Sequence, residues 1–142
     1  MATYRKFEEG LFIGPQPSAE DLAEAKQQGI GTVIDMRLPS ETATDSARLV
    51  KDSGLAYFNI PVDKAALNEH QIDQLDESLR ANQGSYLLHC ASGARAAMLL
   101  SLSRAKQHGW TAERTFQEAE AMGFDLRSSA EMAAFVRRVR GS

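Results

Sequence analysis

The chain has 142 residues, 43% of them apolar and 25% charged, with a net charge of -3; that is enough for one compact core and lacks the basic excess that nucleic-acid binding calls for. No apolar run approaches the roughly 18–20 residues needed to cross a bilayer, and a single cysteine excludes an intrachain disulfide and a Cys-rich zinc site. His70, His89 and His108 stand at spacings that match no common metal motif, so neither a metal nor a cofactor is expected.

Met1 to Gly10 is polar and mixed in charge, without the apolar stretch of a signal peptide, which predicts a cytoplasmic protein. Leu11-Phe12-Ile13 reads as a strand stopped by Gly14-Pro15-Gln16-Pro17. Ser18 followed by Asp21 is a capping-box start for a helix that runs to about Gln28 and stops at Gly29. Thr32 to Met36 is a β-branched run, hence a buried strand. Arg37 to Glu41 is loop, and a helix from about Thr44 to Ser53 ends at Gly54. Leu55 to Ile60 is the next strand, and Val62 to Leu67 is loop. Asn68 and Gln71 make another capping pair, with Ile72, Leu75 and Leu79 on one helical face and Gly84 as the stop.

Tyr86 to His89 is a strand that runs directly into Cys90. After Arg95 a long helix carries Met98, Leu99, Leu102 and Ala105 to His108-Gly109. Thr111 caps a helix that stops at Gly123. Ser128 with Glu131 caps the last one, with Phe135, Val136 and Val139 inward. Strands alternating with helices imply a mostly parallel sheet, and ligands of such sheets sit beyond the carboxyl ends of the strands. Cys90 is the first residue past one of those ends.

The segment His89-Cys90-Ala91-Ser92-Gly93-Ala94-Arg95 carries the chemistry. Small residues leave backbone N–H groups unobstructed, a helix N-terminus adds partial positive charge, and Arg95 adds a planar fork. Together, Ala91, Ser92, Gly93, Ala94 and Arg95 predict a cradle for a tetrahedral anion, and the same dipoles favour the thiolate of Cys90 as nucleophile. Singly, a cysteine at a strand end is a small buried hydrophobe and an arginine at a helix start is surface charge. An arginine there opposes the helix dipole, however, unless an anion lies beside it.

The loop resembles the signature of cysteine-dependent phosphatases. Leu11 to Ser18, Gly31 to Arg37, Asn59-Ile60-Pro61-Val62 and Gly123-Phe124-Asp125-Leu126 are similar to the dual-specificity-phosphatase-like superfamily, and within it to the beta-lactamase-hydrolase-like phosphatase-like domain (DUF442). The resemblance implies a single phosphatase-like domain over residues 1–142. It also implies an α/β, three-layer fold, with a central, mostly parallel sheet of about four to five strands flanked by helices. Two departures stand out. Four residues separate Cys90 from Arg95, one fewer than in the phosphatase signature, and Ala96 stands where that signature has a hydroxyl. The shorter spacing, with Ser-Gly inside it, looks like the active-site loop of single-domain rhodaneses.

Phosphatases of this type draw a general acid from a loop upstream of the signature, and Asp63 occupies the matching place after Val62. A solvated loop carboxylate is the equal alternative. Glu69 and Asp73 are weaker substitutes near a helix start. His89 is expected to support the loop, Ser92 is a hydroxyl that can serve the sulfur or the leaving group, and Asp35 with Arg37 is expected to pair structurally. Three functions follow. The first is a phosphatase-like hydrolase with a covalent intermediate on Cys90. The second is a rhodanese-type sulfurtransferase passing sulfur through a Cys90 persulfide. The third is a non-catalytic anion-binding or redox-sensing module with an exposed thiol. The expected partner is an anionic substrate, a phosphoester or a sulfane-sulfur donor. The sequence names no protein partner.

Overall fold

The computed structural model describes residues 4–38, 40, 46–81 and 84–141. The expected helix start at Thr44, and Pro39 and Glu41 of the loop before it, lie outside those residues. The chain divides into two compact units, Met1–Pro61 with Asn82–Ala96, and Val62–Ala81 with Ala97–Ser142.

The first unit is a five-stranded sheet with two helices. Its strands are β1 (Arg5–Glu8), β2 (Leu11–Gly14), β3 (Ile30–Asp35), β4 (Ala56–Asn59) and β5 (Ser85–His89). They lie in the order β1-β2-β5-β3-β4. β1 pairs antiparallel with β2, and all other pairings are parallel. β1 was not expected. Arg5-Lys6-Phe7-Glu8 has no buried residue to betray it, because it is an edge strand held by its ladder rather than by a core face. It approaches the end of β2 closely: a Cβ on Gly14 would lie 2.8 Å from the Cβ of Tyr4, so only glycine fits there.

α1 (Ala19–Gln27) starts at the expected capping box, Ser18 accepting from the Asp21 N–H and Asp21 accepting from the Ser18 N–H. α2 (Ser46–Asp52) follows β3. Leu22 and Ala25 from α1, Val50 from α2, and Leu55 close over Val33 and Leu87 on the sheet. Each fully buried leucine in such a cluster contributes about 2 kcal/mol over an exposed one. The alternation of β3 then puts Asp35 on the same face as Val33, one step beyond the apolar cluster.

The second unit is helical. A 3-10 turn at Lys64–Ala66 lies inside the expected Val62–Leu67 loop. α3 (Glu69–Ala81) is capped as expected, Asn68 accepting from His70 and Gln71 accepting from the Asn68 N–H. α4 (Ala94–His108) begins in the first unit and runs on into the second. α5 (Ala112–Ala121) has Thr111 as its N-cap. α6 (Ala130–Arg140) is capped by Ser129, not by Ser128. Ser128 instead closes a 3-10 turn at Leu126–Ser128, its hydroxyl donating to the Asp125 carbonyl, so the helix starts one residue later than expected. Phe135 and Val136 are buried while Val139 is half-buried. No helix among the described residues is long and apolar enough to cross a membrane.

Candidate active site

Register places the site. Gly14 pairs with His89, His89 with Asp35, and Asp35 with Asn59, so one rung across the carboxyl end of the sheet carries Gly14, His89, Asp35 and Asn59. Cys90 leaves β5 from the middle of that rung. Its thiol is fully buried. The exposed thiol expected of a redox-sensing module is therefore not found: the loop turns over the sulfur instead of presenting it.

Gly93 makes that turn. Its φ of +98° is a conformation that side chains disfavour, and it aims the Gly93 N–H at the Cys90 Sγ from 3.1 Å. The loop is tied down on both sides. The Met36 N–H donates to the His89 carbonyl at 2.8 Å and the Gln16 N–H to the Ala91 carbonyl at 3.5 Å. Ala91 and Ser92 are exposed and Ala94 and Arg95 half-buried. The Ser92 hydroxyl accepts from the Ala94 N–H at 3.4 Å, so its oxygen is engaged within the turn. α4 begins at Ala94, two residues before the start expected after Arg95, which puts Arg95 inside its first turn. That turn holds no acidic residue. A partial positive charge with no resident carboxylate suits an anion.

Behind the loop lies a buried polar cluster. Arg37 reaches Asp35 through Nε at 3.0 Å and Nη2 at 2.9 Å, and its own N–H adds a third bond at 3.0 Å. Both side chains are at most 2% exposed. Tyr57 donates to Asp35 Oδ2 at 2.9 Å, the Asn59 amide donates to the carbonyls of Asp35 and Arg37, and Arg37 also donates to Ser46 Oγ at 2.6 Å. Burial alone would raise the Asp35 pKa, but the Arg37 guanidinium, His89 and Tyr57 hold it below the ordinary carboxylate range. The structural pairing expected of Asp35 and Arg37 is observed.

His89 Nε2 lies 3.9 Å from Asp35 Oδ1. Burial pushes its pKa down to about 4; Asp35 opposes that push and Arg37 adds to it. At neutral pH the ring is therefore uncharged and its contact with Asp35 is dipolar, not an ion pair. Among the described residues its Nδ1 has no hydrogen-bond partner. Next to it is a small recess, partly open to solvent, lined by Gln16, Pro17, Leu22, Arg37, Ser46, Leu49, Val50 and His89.

Cys90, Arg95, His89 and the intervening loop thus fall in the first unit. Asp63 falls in the second, half-buried, where its carboxylate caps the 3-10 turn by accepting from the Ala65 N–H at 2.9 Å. Glu69 and Asp73 are also in the second unit, exposed, at 3.7 and 3.6 Å from Lys106 Nζ. Gln16, Ser46, Tyr57 and Asn59 also belong to this region and are not singled out by sequence pattern. Only Asn59 carried a signal, as a polar residue ending a strand of the parallel set.

The family model described as "Beta-lactamase hydrolase-like protein, phosphatase-like domain" matches residues 3–107. Beta-lactamase hydrolase-like proteins of Xylella fastidiosa, strains Temecula1 and 9a5c, are 29% identical over 123 residues, covering 83% of this chain and 28% of their own length. The chain therefore spans little more than a quarter of those relatives. Among solved structures, Tk-PTP in the active form matches with a TM-score of 0.81 at 14% identity, covering 97% of this chain and 96% of that one. P. aeruginosa TpbA in complex with pTyr matches with a TM-score of 0.79 at 18% identity, covering 95% and 83%. The core catalytic domain of the PP-IP phosphatase SIW14 from S. cerevisiae, in complex with citrate, gives 0.75 at 18% identity, covering 95% and 83%. At these identities the structural likenesses show the fold alone: an α/β chain with a central sheet flanked by helices.

Proposed function

The chain belongs to the family of beta-lactamase hydrolase-like phosphatase-like domains, and from that premise we propose that it is a cysteine-dependent hydrolase of phosphoesters, acting as a single domain over residues 1–142. The observation that carries this reading is the Gly93 N–H held on the buried Cys90 sulfur at 3.1 Å, in a loop that opens a helix. That bond fixes the sulfur at the mouth of the helix, and the sulfur is the nucleophile of the proposed reaction. Cys90 attacks phosphorus as the bond to the leaving oxygen breaks, giving a phosphorylated cysteine. Arg95 and those N–H groups of residues 91–95 that are not turned onto the Cys90 sulfur or the Ser92 hydroxyl hold the phosphoryl oxygens. Asp63 gives its proton to the departing oxygen, and water then attacks phosphorus, breaking the S–P bond and releasing phosphate. The bound pTyr of TpbA and the citrate of the SIW14 domain support an anionic substrate. His89 supports the loop from behind as a neutral ring.

A second reading rests on one specific feature, the four-residue spacing between Cys90 and Arg95 followed by Ala96. In a sulfurtransferase the Cys90 sulfur attacks a sulfane sulfur, the S–S bond of the donor breaks, and sulfite leaves without needing a proton. The persulfide then passes its outer sulfur to an acceptor thiolate.

Steady-state kinetics separate the two. With a series of aryl phosphates the hydrolase should release phosphate, and Arg95→Lys should lose most of kcat/KM because lysine lacks the two-pronged geometry. Asp63→Asn should slow basic leaving groups far more than acidic ones. Rapid cyanide- or thiol-dependent turnover of thiosulfate without phosphate release would replace the first reading by the second.

A further inference from the structure

The turn between β2 and α1 holds a polar group that the mechanism above does not use. Building on the reading of residues 90–95 as an anion site, we propose that the carboxamide of Gln16 is an additional hydrogen-bond donor to the bound anion. Its placement follows from the sheet. Gly14 pairs with His89, so Pro15 and Gln16 leave β2 at the level where Cys90 and Ala91 leave β5. The Gln16 N–H continues that ladder past the strands, donating to the Ala91 carbonyl. Pro15 and Pro17 flank it; each fixes its own φ and neither brings an N–H that would compete for that carbonyl. Pro17 is buried and Gln16 exposed. The backbone of Gln16 is thus fastened to the anion loop, while its carboxamide makes no hydrogen bond among the described residues.

The loop itself is short of donors. It has one residue fewer than the phosphatase signature, and two of its N–H groups are engaged, Gly93 on the Cys90 sulfur and Ala94 on the Ser92 hydroxyl. Ala96 adds no hydroxyl. A carboxamide presents two N–H donors and no charge. It can complete the coordination of an oxyanion without requiring a second cation to be stripped of water.

Titration with inorganic phosphate followed by 31P NMR tests this without turnover. Gln16→Met keeps the length of the side chain and removes the donors; Gln16→Glu keeps its shape and adds negative charge. Phosphate affinity should fall about tenfold in Gln16→Met, the value of one hydrogen bond to a charged group, and further in Gln16→Glu. The Tm of both should match the parent chain, because the backbone bond to Ala91 survives. Unchanged affinity in both variants would overturn the proposal. So would a loss of affinity that is matched by a fall in Tm in both, which would make Gln16 a structural strut. Absence of phosphate binding by the parent chain would defeat the anion-site reading together with this one, whereas failure in the variants alone leaves that reading standing.

Discussion

His89 is a buried ring that releases its proton near pH 4, far below the reference value of about 6.5. The unfolded chain therefore binds a proton at this residue between about pH 6.5 and 4 while the folded chain does not. Its contribution is fully present above the unfolded value and is lost as pH falls toward the folded one, at up to about 1.4 kcal/mol per pH unit. Urea midpoints at pH 7, 5.5 and 4.5 should fall along that slope, and His89→Gln should flatten it; an equal slope in the variant would place the titration elsewhere. Asp35 has the same sign in a lower window, because its depressed pKa is lost only as pH falls below the ordinary carboxylate range. Asp35→Asn would leave the buried Arg37 guanidinium without its carboxylate, at a cost of about 3–5 kcal/mol. Equilibrium denaturation giving less than about 1 kcal/mol would mean that water reaches Arg37 in the variant. The Asp35–Arg37 pair was legible because two residues at one strand end share a face. Tyr57 and Asn59 were not, because only the β3–β4 register brings them to Asp35.

Among the elements, local chemistry was most legible where a cap and a stop bracket a helix. Ser18 with Asp21, Asn68 with Gln71, and Thr111 each mark the helix starts expected of them. The last helix shows the limit of that pattern. Ser128 and Ser129 are adjacent, and Glu131 selects Ser128 as a capping box, yet the 3-10 turn at Leu126–Ser128 absorbs Ser128 and leaves Ser129 to accept from the Met132 N–H. Ser129→Ala should therefore lower stability by about 1 kcal/mol and Ser128→Ala by a few tenths, the difference between a helix cap and an exposed turn bond. Thermal unfolding of the two variants side by side decides it, and the reverse order would restore Ser128 as the cap. β1 escaped the sequence reading because an edge strand needs no apolar face, only a partner ladder.

At the scale of the molecule, the order of strands and helices was enough to predict a mostly parallel α/β sheet and to put Cys90 at a carboxyl end. Alternation in sequence did not give the strand order, which places β5 between β2 and β3 and so sets the cysteine in the middle of the sheet rather than at an edge. Nor did it show that the thiol is covered. The central claim is that Cys90 carries the transferred group. Intact-mass analysis of the protein, quenched in acid within milliseconds of mixing with an aryl phosphate, tests it most directly. One added phosphoryl group should appear, mapped to Cys90, forming faster than phosphate is released and absent from Cys90→Ser. Phosphate release with no adduct at Cys90, or one added sulfur from thiosulfate and no adduct from any phosphoester, would contradict it.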